Sequence, residues 1–341
     1  MNAPPETRVV LMGDPTHFSI RAGANPHTRT VWGRRKNVDR TKAVAQWHAF
    51  AQLLSRFDVR VLVVPPDPTL TGLVYPANAG FLYPLDAVLP SQRKSFYLAN
   101  LLPSRAGEQP VYREFLERSG FRTARLQARF EGEADFFPVG NRYLFTYGRV
   151  EIQRFRLRLA LPPYERVYGF RSEIGALAEL QQVAEGKEVI ALELGDEAYY
   201  HGDTTLCAFG PDRRFLLVYL EALMPTSAQH LREQLKDEMI PLSAADAALY
   251  AANSFTLARN GKHYLFMPAG VSDRLLAQIH ERDVEPVTID VSEFLRKGGG
   301  AVKCMIGDLG PNDETGLTSE HLAFRRAHDY RTLFPSAKEQ V

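Results

Sequence analysis

The sequence predicts an α/β fold assembled as a radial array of five strand–helix–strand modules, and three observations predict it. Short apolar runs of strand length alternate five times with amphipathic stretches of helical period. The 341 residues are 45% hydrophobic and 24% charged, ordinary globular composition that supplies a large buried core. No Ser/Gly-rich linker or low-complexity tract divides the chain. The five units share pattern rather than sequence, and such repetition favours a radial array over a doubly wound sheet.

The first unit starts with a strand at residues 9–12 and leads to a helix over 41–57, where Trp47, Phe50, Leu54 and Phe57 recur at helical spacing. A strand over 59–64 follows and stops at Pro65-Pro66. The second unit starts at 87–89 and reaches a helix over 111–118. The third has a strand at 143–147, a helix over 173–184 and a strand over 188–194. The fourth has a strand at 215–220 and a helix over 228–235. The fifth has a strand at 264–267, a helix over 272–281 and a strand over 287–289. A short helix over 291–296 then meets Gly298-Gly299-Gly300, and a last strand is expected at 301–306. After Leu309 the chain turns polar and is expected to be partly loose, with a closing helical turn at 322–326.

Lys+Arg (41) nearly cancels Asp+Glu (40), which argues against a general nucleic-acid or membrane-surface binder. Two cysteines, Cys207 and Cys304, fit a reducing cytoplasm and supply neither a disulfide framework nor a Cys-rich zinc site. The opening Met-Asn-Ala-Pro-Pro-Glu lacks the basic and apolar regions of a signal peptide. No apolar run approaches the roughly 20 residues that span a bilayer. The expectation is a cytoplasmic globular protein.

Three groups of residues could carry chemistry. Cys304 ends the most Gly-rich stretch of the chain and is expected on a strand face with Val302 and Ile306. The pattern leaves open an inert core thiol, but three glycines let backbone N–H groups approach a ligand. Cys207, in Thr-Thr-Leu-Cys-Ala-Phe, reads as core. His201 stands two residues before Asp203, either a hydrogen-bonded histidine or an acid/base group with a carboxylate beside it to hold a cation. Glu131, Glu133 and Asp135 lie within five residues, flanked by Phe130, Phe136 and Phe137. Carboxylates desolvated among phenylalanines demand a cationic partner. No zinc-protease helix, Walker loop, dinucleotide fingerprint or nucleophile elbow is present. His17, His27 and His48 are not spaced as metal ligands, so no metal is expected. One segment breaks the rhythm: Arg154, Arg156 and Arg158 alternate with Phe155, Leu157 and Leu159, a strand with one basic face. It is either an edge strand protected by charge or a lip for an anionic ligand or partner subunit.

Seven landmarks in order resemble the guanidine-modifying pentein, or amidinotransferase, superfamily. They are Met12-Gly13-Asp14-Pro15-Thr16-His17-Phe18, Ala24-Asn25-Pro26, Leu73-Val74-Tyr75-Pro76-Ala77-Asn78-Ala79-Gly80, Phe130-Glu131-Gly132-Glu133-Ala134-Asp135, Tyr168-Gly169-Phe170-Arg171-Ser172-Glu173, Tyr200-His201-Gly202-Asp203-Thr204 and Gly299-Gly300-Ala301-Val302-Lys303-Cys304. Each is weak alone and the ordered set is strong; the likeness is to the arginine dihydrolase branch. The resemblance implies a five-bladed α/β propeller of ββαβ-like units around a pseudo-fivefold axis. A single catalytic domain would cover 1–310, with an Arg-rich insertion at about 149–167 and a C-terminal tail over 311–341. Cys304 would be the nucleophile and His201 the proton shuttle. Asp203 and an acid of the 131–135 loop, Glu131 or Asp135, would grip the guanidinium, with Glu133 beside them. Arg171 would bind the substrate α-carboxylate, and Asn25 and Asn78 would line the pocket.

The implied activity is cofactor-free, metal-free hydrolysis of a small guanidino substrate through a covalent intermediate, with a homo-oligomer left open. Deiminases of the superfamily tend to carry Asp where Asn78 stands. A neutral side chain there would let a urea-like product stay and react again, carrying arginine to ornithine, ammonia and carbon dioxide. The sequence departs from the family at Gly13-Asp14-Pro15, at Ala134, and at residues 99–108, where basic residues near the pocket are expected to be missing. These departures, with the insertion, leave methylated arginines, agmatine and other guanidino compounds open as substrates. Deiminase, dimethylaminohydrolase, amidinotransferase and non-catalytic binding roles are the alternatives.

Overall fold

Five small mixed sheets repeat one connection: an antiparallel pair, a helix, then a third strand parallel to the second. The computed structural model describes residues 7–21, 25–30, 32–151, 154–157 and 164–335, apart from the side chains of 154–157, 164, 165 and 312. The chain opens with β1 (Arg8–Gly13), α1 (Arg40–Arg56) and β2 (Arg60–Val64), the two strands parallel in the register Val9 to Arg60. Asp39 caps α1 by accepting from the Lys42 amide, and the face of Ala43, Trp47, Phe50 and Leu54 is buried.

The second sheet pairs β3 (Gly80–Tyr83) with β5 (Ser95–Leu98); the two-residue β4 (Leu89–Pro90) lies between them in the chain. Helix α2 (Glu108–Arg118) then returns the chain to β6 (Arg122–Arg125), parallel to β5. The third pairs β7 (Phe136–Val139) with β8 (Arg142–Tyr147). An inserted antiparallel hairpin, β9 (Arg154–Leu157) and β10 (Tyr164–Val167), precedes α3 (Ala176–Val183) and the parallel β11 (Val189–Glu193). The fourth comprises β12 (Leu206–Phe209), β13 (Phe215–Val218), α4 (Pro225–Leu235) and β14 (Met239–Pro241). After the short α5 (Ala244–Ala248), the fifth comprises β15 (Phe255–Arg259), β16 (Lys262–Pro268), α6 (Asp273–His280) and β17 (Val284–Ile289). Finally β18 (Gly307–Asp313) returns antiparallel to β1. The last strand thus supplies what the first sheet lacks, so all five share the same three-strand order, with the short β4 added beside β18 in the first.

The α/β class and most predicted elements are present. Three expectations change. The second unit does not start at 87–89, which holds only the edge of β4; its strands are β3, β5 and β6. Each of these is four residues long, and β6 (Arg-Thr-Ala-Arg) is too polar and exposed to show a period. Residues 301–306 form a helical turn rather than a strand, with Met305 N–H donating to Ala301 O at 3.3 Å and Ile306 N–H to Lys303 O at 3.0 Å. Gly299 enters this turn with a left-handed φ of 82°. The polar tail is not loose over its described part. The expected boundary at 310 falls inside β18, and α7 (Ser319–Ala327) and α8 (Tyr330–Leu333) bury Phe324, Arg325 and Tyr330. Arg158 lies outside the described residues, as do the side chains of Arg154 and Arg156 in the hairpin. Among the described residues no helix is long and apolar enough to cross a membrane.

Candidate active site

In each of the five mixed sheets the first strand of the antiparallel pair is preceded by a tight turn, and these turns carry most of the candidate side chains. The turn Pro76–Ala79 leads into β3 and holds Asn78, and Glu131 and Asp135 flank the turn Gly132–Ala134 before β7. His201 caps the turn Gly202–Thr204 before β12, which contains Asp203. Cys304 lies in the turn before β18. A repeated connection therefore delivers one or two side chains from each unit to a common place.

Cys304, His201, Glu131, Arg171, Asn25 and Asn78 all line one cavity of about 160 Å³. Phe18 and Tyr75 give it an apolar wall, with ring centroids 5.8 Å apart. The Cys304 thiol lies 3.5 Å from Asp203 Oδ2 and accepts a 3.1 Å hydrogen bond from Asn253 Nδ2. Asp203 Oδ1 is buried and has no hydrogen-bond partner among the described residues. His201 Nε2 lies 3.0 Å from Glu131 Oε2, while Asn78 Nδ2 faces His201 Nδ1 at 3.5 Å. Arg105 Nη1 donates to Asn78 Oδ1 at 2.7 Å, which settles the amide with its NH₂ group toward the histidine. In its neutral form the ring would carry its proton on Nε2, toward Glu131, with the Nδ1 lone pair toward Asn78.

The carboxylates are shifted in opposite directions. Burial raises Glu131, but the hydrogen bond and charge of His201, with Arg105 and Arg171, outweigh it and hold the group at about 2. Burial dominates at Asp203, which rises to about 6 against the opposing charges of His201 and Lys303. Burial, and then the charge of Asp203, push the Cys304 thiol well above its usual range. The resting site therefore holds a thiol and a carboxylate in need of a cation.

Not every residue named from sequence faces the cavity. Asp135 is raised by burial, and its oxygens accept from Thr146 Oγ1 (2.6 Å), Ser172 Oγ (2.6 Å) and the Gly202 amide (2.9 Å). It ties the acidic loop to the His201 turn. Glu133 points the other way, pairing with Lys303 Nζ at 2.6 Å and accepting from the Asp308 amide at 2.8 Å. Asn25 Nδ2 donates to Gly298 O at 2.9 Å and to the Tyr200 hydroxyl at 3.2 Å, so it shapes the wall beside the glycines. Arg171 lies over the Tyr200 ring at 4.8 Å and donates to Gly169 O at 2.9 Å.

The chain has known relatives. The family profile of eukaryotic N,N-dimethylarginine dimethylhydrolase matches residues 169–310, which include Arg171, His201, Asp203 and Cys304. The N(G),N(G)-dimethylarginine dimethylaminohydrolase of Mycobacterium tuberculosis is 30% identical over 307 residues, covering 90% of this chain and 87% of its own length. The chain belongs to the guanidine-modifying superfamily.

Two further comparisons place this guanidine-modifying chain beside arginine dihydrolases. The bifunctional arginine dihydrolase/ornithine cyclodeaminase AgrE of Nostoc is 28% identical over 299 residues, 86% of this chain and 37% of that enzyme. The product-bound N-terminal domain of the cyanobacterial arginine dihydrolase ArgZ superposes with a TM-score of 0.72 at 25% identity, covering 90% of this chain and 98% of the domain. Sequence reasoning about this superfamily member missed two residues at the site. Arg105 was passed over in a stretch expected to lack cavity cations, although it lines the cavity and forks onto Glu108 at 2.9 and 2.6 Å. Asn253, in Ala251-Ala252-Asn253-Ser254, carries no signal beyond its place just before a strand. Among the described residues there is no cluster of three or more His, Cys, Asp or Glu that could hold a metal.

Proposed function

We propose that the chain hydrolyses the guanidino group of arginine or a close N-substituted relative through a covalent bond to Cys304. The observation that carries this reading is Asp203: a buried carboxylate, one oxygen without a partner and the other 3.5 Å from the cysteine sulfur. Leaving such a group uncompensated costs several kcal/mol, of order 1–3 for the polar atom and more for the charge. A planar guanidinium supplies the missing N–H groups and positive charge at once. On this reading the five sheets are the blades of a five-bladed propeller; contacts of β12 with both β7 and β15, and of β18 with β3, support a ring of neighbouring sheets.

The chemistry follows from the arrangement. Substrate binding brings a cation beside Asp203 and Cys304, which offsets the burial that keeps the sulfur protonated. The thiol proton passes to His201, and the resulting thiolate attacks the guanidino carbon to form a tetrahedral adduct. His201, held by Glu131, delivers a proton to the departing nitrogen, and ammonia or an alkylamine leaves. An S-alkylthiouronium remains. His201 then takes a proton from water as its oxygen attacks the same carbon, and the C–S bond breaks to give a ureido product. Arg171, over Tyr200, would receive the α-carboxylate at the cavity's other end. Arg105 is largely neutralised by Glu108.

Asn78 favours a second round. Its amide is neutral and fixed by Arg105, so it favours a charged guanidinium over a neutral ureido group less than a carboxylate would. A retained ureido product would be attacked again, giving ornithine, a second ammonia and carbon dioxide. A single round on a methylated arginine is the second reading, favoured by the match to the dimethylarginine dimethylhydrolase profile.

The test is product analysis with arginine and, separately, asymmetric dimethylarginine. The expected result is two ammonia per ornithine from arginine, without urea. Quantitative arrest at citrulline rules out the second round, and dimethylamine release from the methylated substrate selects the second reading. Amidino transfer to added glycine or lysine would make the chain a transferase. No turnover of any guanidino compound overturns the proposal.

The state of Asp203 gives a pH prediction. With its carboxyl at about 6 in the free enzyme, protonation below that value removes the negative partner of the substrate cation. The expected kcat/KM profile bends downward on the acid side near pH 6, and Asp203→Asn abolishes the bend along with most of the activity. A profile flat from pH 5 to 8 would mean that Asp203 does not meet the cation.

A further inference from the structure

Four of the five pre-strand turns contribute a residue to the cavity lining, while the fifth touches the site through Cys304 and has no role in the chemistry above. That turn holds Asn253, two residues before β15 and fully buried. Its side chain uses all four of its hydrogen-bonding positions. Oδ1 accepts from the Ala301 amide at 3.0 Å and from the Cys304 amide at 3.1 Å. Nδ2 donates to Asp203 O and to Cys304 Sγ, both at 3.1 Å. The main chain joins in, since Lys303 N–H donates to Asn253 O at 3.1 Å. Two backbone N–H donors on one side of the amide leave no freedom to turn it over, because a flip would set N–H against N–H. The NH₂ group is therefore committed to the sulfur.

We propose that Asn253 is a catalytic residue: its amide is a fixed donor that holds the Cys304 sulfur in place and stabilises the thiolate through both steps. Several features carry this. Asp203, 3.5 Å away, bears negative charge that opposes a thiolate, so the sulfur needs a donor that does not depend on substrate. The substrate cation serves during attack, but after the amine leaves, the thiolate must depart again as product forms, and Asn253 remains beside it. A hydrogen bond to a charged acceptor is worth more than one to a neutral acceptor, so this contact strengthens as charge develops on sulfur. The same amide clamps the Cys304 turn to the Asp203 loop, fixing nucleophile and guanidinium grip relative to each other. In line with this role, burial and then Asp203 raise the thiol, while the Asn253 hydrogen bond lowers it.

This inference rests on the covalent role proposed for Cys304, and its first readout, thiol alkylation, is independent of turnover. Alkylation of Cys304 by iodoacetamide is followed against pH by peptide mass mapping in the substrate-free wild type, Asn253→Ala and Asn253→Asp. The alanine variant removes the donor without adding charge. The aspartate variant keeps both acceptor contacts to the backbone but has no N–H for the sulfur. The expected result is an alkylation midpoint raised by about one pH unit or more in both variants, with kcat reduced about ten- to hundredfold and KM changed far less. A raised midpoint in Asn253→Asp alone would assign the shift to added charge and overturn the proposal. Wild-type midpoints in both, or a loss confined to KM or thermal stability, would also overturn it. If the alanine variant does not fold, Asn253→Ser takes its place and is read in the same way: its shorter side chain keeps one backbone contact and leaves the sulfur without its donor. Turnover by Cys304→Ala would instead sink the covalent reading itself.

Discussion

Cys304→Ala is expected to lose turnover by roughly 10⁴-fold or more, the scale on which removal of a covalent nucleophile acts. Its effect on binding should be small or opposite in sign. The sulfur is buried, raised by desolvation and by Asp203, and held by Asn253, so the resting enzyme already bears the cost of placing a thiol beside a carboxylate. Removing it leaves Asp203 free to pair with a guanidinium. Isothermal titration with arginine should therefore give an affinity equal to or tighter than wild type, with no heat from turnover. Retained turnover would place the nucleophile elsewhere. The other thiol, Cys207, lies in β12, pushed by burial to about 12, and donates weakly to Ser254 O at 3.5 Å. Cys207→Ala should consequently leave kcat unchanged.

His201→Ala carries the second large expected loss, about 10²- to 10⁴-fold in kcat, the range for general acid–base catalysis. In the proposed mechanism two steps need this ring: protonation of the leaving amine and activation of water. A substrate with a leaving group that requires no proton should bypass the first step alone, so the variant should then accumulate a covalent adduct on Cys304, visible as an added mass. Exogenous imidazole should restore part of the rate, because the truncation leaves space bordered by Glu131 and Asn78. Glu131 is held at about 2 and stays ionised at working pH, so it orients the ring and supports its cationic form throughout. A loss below tenfold, with no adduct, would show that another group moves the proton.

Much of the candidate site was legible through short runs that resemble the superfamily's landmarks. By pattern alone, three acids between phenylalanines, a histidine two residues before an aspartate and a cysteine after three glycines remained open to purely structural readings. The geometry separates their roles. Glu131 reaches the histidine, Asp135 is consumed by Thr146, Ser172 and Gly202, and Glu133 turns away to Lys303. Alternation along one loop cannot predict this, because partners 11 to 175 residues away decide it. Asn253 and Arg105 were illegible for a related reason. An asparagine before a strand and an arginine in a polar loop are common, and their meaning lies wholly in distant atoms.

The sequence by itself determined the α/β class and the repetition of the unit, and its short runs marked Cys304, His201 and the neighbouring acids as candidates through their resemblance to the superfamily. Those features are local: periodicity, turn-forming glycines and clusters of charge beside apolar residues act over a few positions. Tertiary structure alone decided that residues 301–306 turn instead of extending. Asn253 captures the Ala301 and Cys304 amides there, so backbone groups that would have joined a ladder are satisfied by a side chain some 50 residues away. It decided too that β18 completes the sheet of β1, because a strand edge accepts whichever partner the fold brings to it, near or far in the chain. The ionisation pattern belongs with these. Asp203 is raised and Glu131 lowered by burial and by charges that only folding assembles.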